Sequence, residues 1–247
     1  MRYFLELAYH GKAYHGWQKQ PNALTVQEVL ENVLEKLFQK KIEVVGAGRT
    51  DAGVHAKQIF AHFDSTEILQ DEVVYQLNAL LPKDIAINGI FEVNSGAHAR
   101  FDALNRTYEY HIHQKKDPFA METSFLIKRS LNLEKMRLAT NILKDYTGFK
   151  SFSRSRTDVK TFDCKIINAE WKINGEKLIF EITANRFLRN MVRAIVGTLL
   201  EVGLEKIEVE KVHEIIQKED RGEAGASVPA HGLFLTKVEY PKNIFIH

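Results

Sequence analysis

The chain has a single cysteine, Cys164, so no internal disulfide can form and no thiolate cluster is available for zinc. Its ten histidines show neither an HExxH pattern nor the Cys–His spacing of a structural zinc site, and no metal centre is expected. Proline and glycine are scarce, 5 and 14 among 247 residues, which excludes collagen-like and low-complexity architectures. Uninterrupted apolar runs fall short of a membrane span, which takes about 18 residues. The N-terminus passes directly into an alternating pattern, Arg2 to Tyr9, with no basic segment followed by an apolar stretch. A soluble, cytoplasmic protein without membrane association is therefore expected. An excess of one charge sign is also lacking: the net charge of +2 names no partner by itself.

The remaining composition, 45% hydrophobic and 27% charged, is that of a folded chain with a sizeable core. The charge is unevenly spread. Residues 100–165 carry 14 Lys and Arg against 8 acids, whereas residues 64–92 carry one Lys against six acids and residues 199–223 four basic residues against eight acidic. A basic middle suits a polyanion held on one face. Uneven charge on a solvated surface would produce the same counts, so other signals must decide.

Strands and helices alternate without a linker tract. A strand over 2–9 is followed by a helix from Thr25, where Thr25-Val26-Gln27-Glu28 forms a capping box ahead of Val26, Val29, Leu30, Val33, Leu34, Leu37 and Phe38 at helical spacing. Strands over 42–47 and 56–63 flank a glycine-rich segment, a helix over 71–81 stops at Pro82, and a strand covers 85–93. A second series starts near 104: a long strand, a helix over 133–145, strands over 162–173 and 177–184 joined at Asn174-Gly175, helices over 187–202 and 208–218, and a closing strand over 232–240. The pattern predicts an α+β fold of two similar lobes, 1–103 and 104–247, meeting along one sheet.

Three constellations could carry chemistry. Gly46-Ala47-Gly48-Arg49-Thr50-Asp51-Ala52-Gly53-Val54-His55-Ala56 places three glycines in eight residues between two strands, with Asp51 central and Arg49 two residues before it. A carboxylate kept ionised by a nearby guanidinium suits a nucleophile; an Asx turn bonding its own loop amides is the plainer alternative. The segment is not a P-loop, and Gly11-Lys12 is not a Walker motif. The second constellation is Arg186, Arg189 and Arg193, which on a helix from Phe187 would line one side with no acid between Glu181 and Glu201. Such a stripe suits phosphate, or a clamp on a carboxylate, with Gly197 permitting close backbone approach. The third is Tyr108 and Tyr110 beside Arg100 and Arg106, echoed by Phe149, Phe152, Arg154, Arg156 and Lys160. Tyrosine beside arginine suits an unpaired base and its phosphate, although a half-buried strand also uses tyrosine.

Together these segments resemble the tRNA pseudouridine synthase A family. The loop GRTDAGVHA is the most specific block. Tyr14-His15-Gly16-Trp17-Gln18 with Thr25-Val26-Gln27-Glu28, His98-Ala99-Arg100-Phe101, Arg106-Thr107-Tyr108-Glu109-Tyr110, Asn185 to Gly197, and Pro229 to Leu235 follow in the family's order. Departures at Gly148, Cys164-Lys165 and Ser227 are mild. The resemblance implies two α+β halves in one long mixed, largely antiparallel sheet with flanking helices. It implies a homodimer that converts uridines at positions 38–40 of the tRNA anticodon stem-loop to pseudouridine, with no cofactor or metal. By position it makes Asp51 the nucleophile, Arg193 its partner, Tyr108 the tyrosine that stacks on the target base and Leu233 a wall of the uracil pocket. Arg49 is expected at the substrate, and Arg100, Arg106, Arg154, Arg156, Lys160, Arg186 and Arg189 on RNA. A non-catalytic RNA-binding module and an Asp-dependent phosphatase are the rival readings; the absence of a DxD metal pair weighs against the phosphatase.

Overall fold

The computed structural model describes residues 1–155 and 159–246. In chain order the elements are β1 (Arg2–Tyr9), α1 (Val26–Phe38), β2 (Val45–Gly46), β3 (His55–Asp64), α2 (Glu72–Leu80), β4 (Ile85–Val93), β5 (Asn105–His113) and β6 (Phe125–Leu126). They continue with α3 (Leu133–Ile142), β7 (Ile166–Asn174), β8 (Lys177–Ala184), α4 (Met191–Gly203), α5 (Lys211–Gln217) and β9 (Leu233–Glu239). The chain divides into two compact units, one formed by Met1–Arg106 with Phe234–His247 and the other by Thr107–Leu233.

In the first unit the strand order is β4-β1-β3-β9, with β2 alongside β3. β1 runs antiparallel to both neighbours, so Tyr3, Phe4, Leu5 and Leu7 are all buried. β9 runs parallel to β3, His55 opposite Phe234 and Ala56 opposite Leu235. That pairing takes the closing strand out of the second lobe, where the sequence pattern had put it, and into the first unit. α1 starts as predicted: Thr25 accepts a hydrogen bond from the Glu28 N–H at 3.3 Å, and Val26, Leu30, Val33 and Leu34 turn into the core. The strand expected over 42–47 shrinks to Val45–Gly46 because α1 side chains replace its ladder. The Val44 N–H donates to Glu31 Oε1 at 3.2 Å, and its carbonyl accepts from Gln27 Nε2 at 3.0 Å.

The second unit carries the order β5-β8-β7, with β6 parallel to β5. The Asn174-Gly175 hairpin forms as predicted, with Gly175 at a φ of 60° and Asn174 paired with Lys177. α3 packs on β7 and on α4. The sheet is mixed and largely antiparallel, and helices flank it: the fold is α+β.

α4 departs from expectation. It begins at Met191, not Phe187, because its N-cap Asn190 adopts a left-handed φ of 67° and its Nδ2 donates to Ser227 Oγ at 2.6 Å. Arg186 and Arg189 therefore precede the helix, and the predicted helical arginine stripe reduces to Arg193. α4 is otherwise almost wholly buried. Gly197 does serve close approach: a Cβ there would run into the Ala226 carbonyl oxygen. Gly197→Ala is expected to destabilise the fold by about 1–3 kcal/mol, read as a lower denaturant midpoint; an unchanged midpoint would mean that residues 225–226 can retreat.

Candidate active site

Asp51 sits on a loop pinned from beneath by residues 9–17. Gly53 takes a left-handed φ of 79°, and the Val54 N–H closes the turn onto the Asp51 carbonyl at 3.1 Å. The Gly53 N–H donates to the Tyr14 carbonyl at 3.2 Å, so the amide an Asx turn would use is taken up by another segment. The Trp17 N–H reaches the Thr50 carbonyl at 3.4 Å, and the hydroxyls of Tyr9 and Thr50 lie 2.8 Å apart. Gly16, at a φ of 90°, lies so close that a Cβ would meet the Thr50 carbonyl, and one on Gly46 would enter the buried Trp17 indole. Tyr14 is fixed in turn by donating its hydroxyl to Asp84 at 2.6 Å, and burial followed by this bond holds its phenol above the ordinary range. Asp51 is half-buried and Arg49 is exposed on the same loop.

At the loop's end His55 is buried and accepts the Gly11 N–H at its Nδ1, 3.0 Å away, which places the ring proton on Nε2. The imidazole stacks on Phe234 with centroids 4.6 Å apart and meets His10 at 4.3 Å. Sequence reasoning passed over His55, Tyr14 and Gly16 as parts of the loop's support. The spacing of small residues at 11 and 16 ahead of a loop rich in glycine was the available signal.

Arg106 joins this loop to the turn 97–102. One guanidinium nitrogen, Nη2, donates to the Ala47 carbonyl at 2.9 Å and to the Arg100 carbonyl at 2.7 Å, while Nη1 reaches Ala103 at 3.2 Å. Expected on RNA, Arg106 works in this unit as a strut between two backbone segments. Beneath the turn, His62 accepts the Ala99 N–H at 3.1 Å. Its pKa is lowered from 6.5 to about 4, chiefly by burial and next by His98 and Arg2.

A folded-state pKa below the unfolded value stabilises the fold fully above pH 6.5, and that stabilisation is lost as the pH falls toward 4. The loss is on the order of 2–3 kcal/mol. Asp64, held below the ordinary carboxylate range by its hydrogen bond from Arg2, acts in the same direction at lower pH. Urea unfolding between pH 7 and 4 should show the decline, and His62→Gln, which keeps an acceptor for Ala99, should flatten it. Equal pH slopes in both proteins would assign it to other groups.

The second unit holds the other expected residues. Tyr108 is half-buried and meets Phe187 edge-on at 5.0 Å. Tyr110 is fully buried, donates its hydroxyl to the Pro229 carbonyl at 2.9 Å, and has its phenol pushed up by burial. It is a core residue, not a stacking surface. Phe149 and Phe152 are likewise fully buried, so the aromatic–basic mix predicted in that loop does not form. Arg193 donates from Nε to the Val228 carbonyl at 2.7 Å, and the Val228 N–H returns to the Arg193 carbonyl at 3.2 Å. Arg221 holds the preceding loop through the Ala224 and Gly225 carbonyls, each at 3.1 Å, and Ser227 Oγ at 2.9 Å. Leu233 is buried at the start of β9.

Arg154 and Arg189 are exposed and linked through the backbone, Arg154 N–H to Arg189 carbonyl at 3.0 Å; Lys160 is exposed and Arg186 half-buried. Arg156 lies outside the described residues. Burial pushes the Cys164 thiol up to about 11, against nucleophilic use. Among the described residues no group of His, Cys, Asp and Glu is placed to hold a metal ion, and no helix is long and apolar enough to cross a membrane.

The chain belongs to the tRNA pseudouridine synthases, isomerases whose family model matches residues 7–102 and 143–241. It is 50% identical over 246 residues to tRNA pseudouridine synthase A of Parabacteroides distasonis, covering 99% of this chain and 98% of that protein. The protein of the same name from Porphyromonas gingivalis is 46% identical over 250 residues, covering 99% of both chains. That of Clostridium acetobutylicum is 41% identical over 244 residues, covering 96% of this chain and 98% of that protein.

Proposed function

We propose that this chain converts uridine to pseudouridine in the anticodon stem-loop of tRNA, at positions 38–40, with Asp51 as nucleophile. The supporting observation is the loop itself: Tyr9, Tyr14, Gly16 and Trp17 hold Thr50 and Gly53, so the carboxylate between them is presented on a fixed backbone. Preorganisation of this kind removes reorganisation at the reacting centre.

The reaction needs a base extruded from its stack. The N1–C1′ bond breaks, the uracil turns, and C5 bonds to C1′; the C5 proton is lost and N1 regains one, so atoms and electrons balance within one nucleotide. Glycoside hydrolysis requires a second carboxylate as acid, whereas uracil leaves as a delocalised anion and one carboxylate suffices. In this reading Arg193 neutralises and orients Asp51, with its Nε anchored on Val228. Tyr108 stacks on the uracil, Leu233 walls its pocket, and Arg49 faces the substrate. Arg100, Arg154, Arg156, Lys160, Arg186 and Arg189 supply phosphate contacts. The enzyme works in the cytoplasm as a homodimer, without metal or cofactor.

Incubating unmodified tRNA with the purified protein and digesting it to nucleosides tests the reading. Pseudouridine at 38–40 is the expected product. Binding of tRNA without a new nucleoside would instead support the non-catalytic RNA-binding module.

A further inference from the structure

Phe101 is 73% exposed, although the turn that carries it is tied down at several points. Arg2 donates to the Ala97 carbonyl at 2.9 Å, and the Tyr240 hydroxyl to the Ala99 carbonyl at 2.5 Å. The amides of Arg100 and Phe101 donate to His98 Nδ1 at 3.1 and 3.3 Å, while Asp102 accepts the His98 N–H at 2.7 Å. A single exposed apolar side chain is ordinary on a protein surface and needs no explanation. Here three further observations coincide.

First, Phe101 ends a series of ring contacts that rises from the core. It lies against His98 with centroids 4.2 Å apart, His98 meets His62 at 4.6 Å, and His62 meets Phe4 at 6.2 Å. The outermost ring is thus backed by aromatic packing while its exposed side faces solvent. Secondly, the exposed Arg100 guanidinium lies 5.8 Å from the Phe101 centroid, so a cation stands beside the open ring. Thirdly, Arg106 ties the Arg100 carbonyl directly to Ala47 at the start of the Asp51 loop.

We propose that Phe101 and Arg100 form a platform for an unpaired nucleotide of the tRNA flanking the reacting uridine, with the base on the Phe101 ring and its phosphate on Arg100. An aromatic face beside a guanidinium matches the two parts of a nucleotide, and it accepts any base because every base has a π-face. The rigid turn keeps the ordering cost of binding low. The proposal rests on tRNA being the substrate, as argued above.

Phe101→Ala and Phe101→Leu should each weaken tRNA binding by about 5- to 150-fold, the range of one lost base stack. The loss should appear in KM with little change in kcat. Both variants should leave the slope of log K against log salt unchanged, whereas Arg100→Ala should lower it by about 0.7–0.9. Phe101→Trp supplies a direct signal, since Trp17 and Trp171 are buried and an indole at 101 would be the exposed emitter. Its fluorescence should be quenched by tRNA. The proposal is overturned if Phe101→Ala binds tRNA within twofold of the parent, or if the emission of Phe101→Trp is unmoved by tRNA. It is equally overturned if Phe101→Ala instead changes self-association in sedimentation, which would give the ring to a second copy of the chain. A parent protein that binds tRNA but forms no pseudouridine would remove the catalytic reading, while these affinity measurements would still decide the platform.

Discussion

Asp51→Asn is expected to form no detectable pseudouridine while binding tRNA within several-fold of the parent. Asparagine matches the carboxylate in size and can occupy the same loop, whose shape is set by backbone bonds to Tyr14 and Trp17 and by the Tyr9–Thr50 hydroxyl pair. What it lacks is the charge and nucleophilicity that the proposed mechanism asks of position 51 when the N1–C1′ bond breaks. Loss of a group that acts only in the transition state appears in kcat and kcat/KM equally. Affinity, drawn mainly from phosphate contacts, should survive. Nucleoside analysis after prolonged incubation, together with a binding titration, measures both quantities. A fully active Asp51→Asn protein would remove this residue from the mechanism, whatever the strength of the family resemblance.

The second large effect is expected at Arg193. Arg193→Ala should lower turnover by about 100-fold or more, the scale of losing one preorganised electrostatic partner, with a much smaller change in tRNA affinity. In the proposed mechanism Arg193 is the cation that stabilises and orients the reacting carboxylate, and its loss removes that electrostatic support. Arg193→Lys should recover part of the loss. A single ammonium cannot reproduce a planar guanidinium fork anchored by its Nε on Val228. Combined with Asp51→Asn, Arg193→Ala should cost little further activity, because two groups that act as a unit are non-additive. Single-turnover rates for the two single variants and the double variant close the cycle; substantial turnover by Arg193→Ala alone would count against the pairing.

The elements legible from sequence are those whose cause is local. Thr25 and Glu28 announced the start of α1 three residues apart, Asn174-Gly175 fixed a hairpin, and Pro82 ended α2. The glycines around Asp51 announced a tight loop for the same reason. The elements misjudged depend on partners far along the chain. α4 starts at Met191 because its N-cap Asn190 is bonded to Ser227, 37 residues later, and the strand near Val44 is cut short by two side chains of α1. Tyr110, Phe149 and Phe152 looked like candidates for base stacking until burial placed them in the core. Alternation can put a tyrosine on a strand face but does not say what covers that face. The support of the Asp51 loop was hidden for a related reason: it is made by backbone groups of Tyr14 and Trp17, which any residue possesses.

The parallel pairing of β9 with β3 has a consequence for synthesis on the ribosome. β3 leaves the exit tunnel early, but its partner in the strand order is translated only after the whole of Thr107–Leu233. Through that interval the nascent first unit has β1 and β2 available to β3 but not β9, and the His55–Ala56 end of the strand is without its native mate on one flank. Exposed strand edges are templates for mispairing, and contacts between distant stretches of chain form late and slowly. The Asp51 loop abuts this seam, since His55, opposite Phe234 in the ladder, closes it. The backing of the Asp51 loop is therefore tied to one of the last segments to be made, and a stalled chain ending before Phe234 would carry the loop without the strand that backs it.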